Sequence, residues 1–262
     1  MEEDARQQLS AIAHATSSMW GPISEATIGA LVERVVALPL PRHARLIDLG
    51  SGPAELTRRV VERTDATAIG VDVSPYAVDE ARRRLDGSGG ASRLDLRVGD
   101  VGALERAAAH DLATVIGPGW EHGGWTALTS WAAGFVRPGG YLLLGDGAWR
   151  RLPTDAELDI LNIQVDAYPA SEAVEDAVRR GGVAPTWSTR ASEADWSEYG
   201  QRYREALLRF VADHPTDPLA PLAAERAGPA WPTFELLHDI LDFVIVLARV
   251  PPTPATAATI DR

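Results

Sequence analysis

Apolar residues recur along the chain at two spacings, and the pattern changes near residues 45 and 145. Ahead of residue 45 the spacing is helical. Leu9, Ile12 and Ala13 share one side of a first helix that breaks at Gly21-Pro22, and Ile28, Leu31, Val32, Val35 and Val36 share one face of a second. Ser24 is placed to cap that second helix, and Pro39 and Pro41 end it. From Arg45 to about Gly145, short apolar runs alternate with helical patterns, the signature of βαβ units feeding a parallel sheet. The runs predict strands at Arg45–Asp48, Thr67–Asp72, Asp95–Val98, Leu112–Gly117 and Tyr141–Gly145. Helices are predicted near Glu55–Thr64, Pro75–Leu85, Gly102–Ala108 and Gly124–Val136. Beyond Gly145 the chain turns aromatic-rich, with helical segments around Asp155–Tyr168, Ser171–Gly181 and Ala194–His214. A sixth strand is expected at Thr186–Arg190 and a last one at Phe243–Val250, followed by a Pro/Thr/Ala tail expected to be disordered.

With 262 residues, 45% of them hydrophobic and 24% charged, the chain can bury a large core as one domain. Cysteine is absent, which removes thiolate nucleophiles, disulfides, cysteine-ligated zinc and iron–sulfur clusters. All 25 basic residues are Arg, so a lysine-bound pyridoxal phosphate and a P-loop lysine are excluded as well. A formal net charge of -12 works against binding a polyanion, so no nucleic-acid partner is expected. The N-terminus lacks a basic stretch followed by an apolar core, and no run approaches the ~20 apolar residues of a spanning helix. The reading is a cytoplasmic protein with no membrane partner, and the Arg82-Arg83-Arg84 run reads as a solvated helix face.

The most informative stretch is Leu46-Ile47-Asp48-Leu49-Gly50-Ser51-Gly52-Pro53-Ala54-Glu55, a strand entering a glycine turn and then a helix. The carboxyl end of such a strand, beside a helix N-terminus, is where open α/β sheets bind nucleotides. Asp72 closes the second strand 22 residues after Gly50, where its carboxylate can accept both ribose hydroxyls of an adenosine ligand. Asp100 follows the third strand, placed to meet an adenine amine. A helix cap or loop carboxylate is the competing reading of each Asp alone. A nicotinamide cofactor would want a third glycine at Glu55, where a carboxylate repels a pyrophosphate, and a lysine-based dehydrogenase pair cannot exist in this chain.

Asp48-Leu49-Gly50-Ser51-Gly52-Pro53-Ala54, Gly70-Val71-Asp72-Val73-Ser74, Gly99-Asp100-Val101 and Arg137-Pro138-Gly139-Gly140-Tyr141-Leu142-Leu143-Leu144 resemble the successive motifs of class I S-adenosylmethionine (SAM)-dependent methyltransferases. The resemblance covers roughly residues 20–150, with Ala54 where the family has its third turn glycine. It implies SAM as cofactor and S-adenosylhomocysteine (SAH) as product. Asp48, Gly50 and Gly52 would surround the methionine moiety, Asp72 the ribose, Asp100 and Val101 the adenine, and Ile116-Gly117 the sulfonium, with Ser51 and Val73 also counted as cofactor-binding. Trp20, on the N-terminal segment that often covers the cofactor in this fold, joins that set. Trp20-Gly21-Pro22-Ile23-Ser24, Gly145-Asp146-Gly147-Ala148-Trp149-Arg150 and Asp195-Trp196-Ser197-Glu198-Tyr199 are more loosely similar to a subgroup of largely uncharacterised small-molecule methyltransferases.

Methyl transfer from a sulfonium needs an aligned nucleophile and, for acceptors that must lose a proton, a base. His122 is the leading base, with Glu121 beside it and Asp146 orienting the acceptor or the base. A surface or capping role competes for His122. Trp120, Trp125, Trp149, Tyr168, Tyr199, Tyr203 and His14 are candidates for the acceptor pocket, with ordinary core packing the competing reading for each. No metal site is expected, since Gly117 supplies no ligand after the fourth strand.

The expected fold is α/β, a Rossmann-like seven-stranded, mostly parallel sheet with an N-terminal helical lid and a helical insertion before the last strand. One domain is expected over 1–250, with the lid at 1–40, the SAM-binding core at 41–150, the variable acceptor-binding half at 151–240 and the tail at 251–262. The expected function is methyl transfer to O, N or C of a small organic acceptor, by a monomer or homodimer. A SAM-binding enzyme that does not methylate, or a silent SAM-binding protein, is the alternative.

Overall fold

The computed structural model describes residues 3–117 and 123–253. Seven strands form one sheet: β1 (Arg45–Leu49), β2 (Thr67–Asp72), β3 (Leu94–Val98), β4 (His110–Ile116), β5 (Val136–Trp149), β6 (Ala184–Arg190) and β7 (Leu241–Arg249). Their order is β3-β2-β1-β4-β5-β7-β6, parallel except for β7, which runs antiparallel to both β5 and β6. This is the expected Rossmann-like α/β fold, and the reversal of strand order between β1 and β4 opens a crevice at their carboxyl ends.

Helices α1 (Glu3–Ala13) and α2 (Glu25–Val36) precede the sheet, and α3 (Glu55–Arg63), α4 (Pro75–Leu85) and α5 (Gly124–Ala133) follow β1, β2 and β4. Apolar residues of α2, α3 and α4 bury one sheet face, and those of α5 and α7 (Val174–Arg180) bury the other. A third, smaller core joins Leu9 and Ala13 of α1 to Leu207 of α8 (Glu193–Asp213) and to Ala223 and Ala227 of α9 (Ala220–Ala227). The remaining helices are α6 (Asp155–Leu161) and α10 (Trp231–Ile240). No described helix is long and apolar enough to cross a membrane.

Several expectations are corrected. The helix predicted at Gly102–Ala108 is a single 3₁₀ turn, Val101–Ala103, followed by irregular chain in which Ala108 has a φ of 47°. The reason is reach. This link must return from the carboxyl end of edge strand β3 to the amino end of β4, passing β2 and β1 at ~4.8 Å per strand, which a compact helix cannot span. The segment predicted as one helix to Tyr168 stops at Leu161, where Asn162 adopts a left-handed conformation, φ 52°. Strand β5 is longer than predicted, because pairing with β7 carries it on to Trp149. Helices α9 and α10 were not anticipated. From residue 254 the predicted disordered tail lies outside the described residues.

The N-terminal segment is tied to the insertion by one buried carboxylate. Asp195 Oδ2 accepts the Ser192 N–H (2.7 Å) and hydroxyl (2.6 Å), closing a capping box at the start of α8. Its Oδ1 accepts the Ser24 N–H (2.9 Å) and the Thr27 hydroxyl (2.8 Å), at the start of α2. Burial opposes ionisation, but the hydrogen bonds from Ser192 and Ser24 outweigh it and hold the carboxyl well below the usual carboxylate range. Asp195→Ala should lower unfolding stability by about 2–4 kcal/mol, measured by urea denaturation. Because the folded pKa is depressed, this stabilisation is present above the unfolded value of about 4 and is lost as the pH falls below it. Asp195→Ala should lack that part of the acid dependence, and an identical acid limb in both proteins refutes the assignment.

Candidate active site

The turn after β1 is built by the chain crossing to β2. The N–H groups of Gly50 and Ser51 both donate to Val71 O, at 2.9 and 3.0 Å. Gly50 and Gly52 take φ values of 72° and 52°, the left-handed region that glycine enters without strain. Ala54, where a third glycine was absent from the sequence, also adopts a φ of 53°, at a cost of about 1–2 kcal/mol.

Two carboxylates are fixed around this turn. Buried Asp48 accepts the hydroxyls of Thr57 on α3 and Thr114 on β4, each at 2.6 Å. Asp72 accepts the Gly52 N–H on Oδ2 and the Ser74 N–H on Oδ1, each at 2.8 Å. Each Asp72 oxygen keeps a lone pair for a further donor. Burial pushes both carboxyls up; hydrogen bonds pull back, from Thr114 and Thr57 at Asp48 and from Ser74 and Gly52 at Asp72. Glu55, at the first turn of α3, is covered by the guanidiniums of Arg58 (2.7 Å) and Arg59 (2.6 Å). Its charge is therefore compensated, which weakens the argument that Glu55 itself repels a pyrophosphate.

Trp20, Ile23, Asp48, Ser51, Ile116 and Phe243 are among the residues that wall a cavity at this turn, partly open to solvent. Met19, Trp20 and Gly21, in the segment 14–22 between α1 and α2, form its roof. Arg84 donates to the carbonyls of Ser17 (2.8 Å) and Ser18 (2.9 Å), and Arg202 donates to that of Thr16 (2.9 Å). The solvated-face reading of the arginine run therefore holds for Arg82 and Arg83, while Arg84 is turned inward as an anchor. His14 stacks on Trp20 with ring centroids 5.1 Å apart. With its proton on Nδ1, His14 donates to Ser10 O (2.7 Å) and accepts the Tyr199 hydroxyl on Nε2 (3.0 Å). Burial pushes its pKa down to about 4, so the ring is neutral.

Val73 is 58% exposed and Val98 49%, two aliphatic side chains left in water where β2 and β3 end. Asp100 is exposed and accepts the Gly102 N–H (2.7 Å), and Val101 opens the 3₁₀ turn beside it. Ile116 reaches the cavity, and the Gly117 N–H donates to Gly145 O (2.8 Å). Past this level β5 continues alone of the pair: Asp146 is buried, Oδ1 accepting the Gly147 N–H (2.7 Å) and Oδ2 having no partner among the described residues. Tyr168 lies against Gly147 so closely that a Cβ there would stand 2.7 Å from its ring.

The other aromatic candidates separate. Trp149 meets Tyr168 edge to face and donates its indole N–H to Val165 O (2.7 Å). Trp125 is a core residue under β5, donating to Gly147 O (2.8 Å). Tyr199 and Tyr203 pack with His14 and Phe234 behind the roof, and the Tyr203 hydroxyl accepts from Arg226 (3.2 Å). Trp120, Glu121 and His122 lie outside the described residues. Phe243, Ile23 and Arg84 were missed, since nothing in an apolar strand or an arginine run marks the member that faces a cavity. Among the described residues, no three His, Asp or Glu side chains are grouped to hold a metal ion.

The family described as "Methyltransferase domain" matches residues 46–140. Among curated proteins, the chain is 30% identical over 114 residues to the uncharacterised protein YjhP of Escherichia coli, over 44% of this chain and 46% of that one. It is 35% identical over 117 residues to a trans-aconitate 2-methyltransferase of Streptomyces avermitilis, over 43% and 42% of the two chains. The chain thus spans less than half the length of either relative. By structure, a SAM-dependent methyltransferase of Geobacter sulfurreducens crystallised with SAH superimposes with a TM-score of 0.83 at 20% identity, covering 92% of this chain and 97% of that one. YjhP itself superimposes with a TM-score of 0.83 at 21% identity, over 93% and 99%. With the glycine turn, the acidic strand ends and the strand order already in place, residues 46–140 match the model of a methyltransferase domain, and the chain has the fold of the Geobacter SAM-dependent methyltransferase.

Proposed function

We propose that the chain binds SAM at the glycine turn and transfers its methyl group to a small organic acceptor, releasing SAH. The observation that carries this reading is Asp72, held by one backbone N–H on each oxygen with lone pairs left for a ribose diol. The chemistry of the cavity wall suits such a ligand. No heavy atom lies within 4 Å of where a Cβ at Gly52 would stand, so a ligand can approach the backbone there. Trp20 Nε1 and Ser51 Oγ are buried in the wall without hydrogen-bond partners among the described residues, two donors suited to the cofactor's carboxylate. Asp48 gives the wall a carboxylate suited to its ammonium and sulfonium, while Glu55 is neutralised by Arg58 and Arg59.

Bound there, SAM would supply an electrophilic methyl group activated by the sulfonium. Asp72 would hold the ribose, Val73 with Asp100 and Val101 the adenine side, and Ile116 and Gly117 would lie beside the reacting end. Residues 14–22, anchored by Arg84 and backed by His14, would exclude water. Residues 1–40 then serve as lid, 41–150 as cofactor core, and 151–240, with Trp149 and Tyr168 at their border, as acceptor half of one domain. The SAH-bound Geobacter relative supports the cofactor.

SAM or SAH at ~100 times Kd should raise the unfolding midpoint by roughly 5–10 °C, and NADH should not. Release of SAH with an acceptor present separates methyl transfer from a SAM-binding role without it. Asp72→Ala should weaken SAH binding about a hundredfold or more by calorimetry, and unchanged affinity refutes the site. Arg84→Ala frees the carbonyls of Ser17 and Ser18 and should weaken SAH binding about tenfold, whereas an unchanged Kd would uncouple the lid from the cofactor.

A further inference from the structure

We infer that the groove at the amino ends of β1, β2 and β3 is a second ligand site, which binds the phosphate group of a small organic phosphate. It lies at the end of the strands opposite the glycine turn, and it stands whether or not the chain transfers methyl groups.

The groove follows from the missing helix between β3 and β4. Leu46, Ala68, Leu94 and Leu96 lie in the first core and Ile47 in the second, so strand alternation sends Arg45, Thr67, Ile69, Asp95 and Arg97 to the second face of the sheet. On that face α5 packs on β4 and β5, and α7 on β6 and β7. The irregular link after β3 adds Val101 and Leu104 beside Ile47 and Leu49. The β2–β3 side is left open: Ile69 is half-buried, and Thr67, Asp95 and Arg97 are exposed.

The lining of this groove is positive in a chain whose net charge is -12. Arg45, Arg93 and Arg97 stand along it with a single carboxylate, Asp95, which Arg97 takes at 2.6 Å. Asp111, beside the first of these, accepts the Arg45 N–H at 2.7 Å and is paired with the Arg137 guanidinium. The Arg45 guanidinium meets no carboxylate among the described residues. Arg93 donates to the carbonyls of Thr64 and Ala66, so it too keeps its charge uncompensated. Two free positive charges on one open face attract an anion and repel a cation.

The donors are set out in a row. Arg45 and Thr67 are register partners on neighbouring strands, about 4.8 Å apart. Arg93 comes next, its carbonyl accepting the Ala68 N–H at 2.8 Å, with the hydroxyl of Ser92 beside it. Buried His110 closes the β4 side, its Nδ1 proton on Phe135 O (3.0 Å) and its Nε2 without a partner among the described residues. Two guanidinium forks and two hydroxyls offer more donors than the two oxygens of a carboxylate can use. A phosphate monoester has three terminal oxygens and close to two charges at neutral pH, which matches both the donors and the uncompensated charge. Ile69 supplies an apolar floor for the organic part.

The test is calorimetric titration of the full chain with glycerol phosphate, inorganic phosphate and succinate, with SAH present throughout to occupy the cofactor cavity. Glycerol phosphate should bind one to one with a Kd below about 1 mM, inorganic phosphate within about tenfold of it, and succinate at least about tenfold more weakly than either. Arg45→Ala should weaken both phosphates about tenfold, and Arg45→Lys should recover part of the loss. Arg42→Ala removes an exposed arginine that pairs with Asp65 at 3.5 Å outside the groove, and it should leave binding unchanged. The His110 ring resonance, identified by its loss in His110→Gln, should shift along the same titration.

Without phosphate, wild type and Arg45→Ala should unfold at the same Tm, because the exposed guanidinium has no carboxylate contact to lose. A phosphate Kd lowered in affinity by Arg45→Ala at unchanged Tm is therefore a loss of binding and not of fold. Absence of saturable binding, succinate bound as tightly as the phosphates, or equal losses in Arg42→Ala and Arg45→Ala overturns the inference. So does a homo-oligomer that Arg45→Glu splits while no phosphate binds, since the open face is then a contact between copies of the chain.

Discussion

The hydrogen bond from Gly52 N–H to the carboxylate of Asp72 is the contact on which the site depends. It ties the turn after β1 to the end of β2. The paired N–H groups of Gly50 and Ser51 on Val71 O hold the turn a step further in, so the loop cannot lift without releasing β2. Asp48 does the corresponding work below, bonding α3 and β4 at once. A rigid floor results, made from backbone groups and short side chains that have little rotamer freedom to lose.

The roof is held by another kind of contact. Residues 14–22 have little regular structure, and their carbonyls are taken by guanidinium groups from α4 and α8. Arginine suits this task because its planar fork can reach two adjacent carbonyls together, as Arg84 does, where lysine offers a single point. In a chain without lysine, the anchors between helices are built this way, and Glu55 and Glu80 hold Arg84 from the other side at 3.8 and 2.7 Å.

What the sequence disclosed follows the range of the interactions. The alternation of apolar runs and the Ser74-Pro75 helix start are local, and they located β1, β2, α4 and the glycine turn closely. The acidic residues at successive strand ends could be placed because strand ends in a parallel sheet share one edge. By contrast, Asp195 bonds residues 168 and 171 positions away, and Arg84 reaches back 66 and 67. No local pattern distinguishes such residues from solvated neighbours. The absent helix after β3 was lost for a related reason: helical spacing at 102–108 could not register the distance the link must cover. Phe243 reads as one more apolar residue in an apolar strand, and only the register with Gly147 brings it to the cavity.

Strand β5 outruns β4 from Asp146 to Trp149, and over that overhang its ladder partners are β7 and, at Trp149, the chain near Ala170. The turn after β1 is pinned by β1, β2 and β4, none of which pairs with the overhang in the sheet. Changes in residues 150–240, with Tyr168 and its neighbours, can therefore reshape the surroundings of the overhang while the glycine turn stays as it is. The overhang works as a modular joint, a place where recombination or engineering can exchange the chain beyond β5 without disturbing the first half of the sheet.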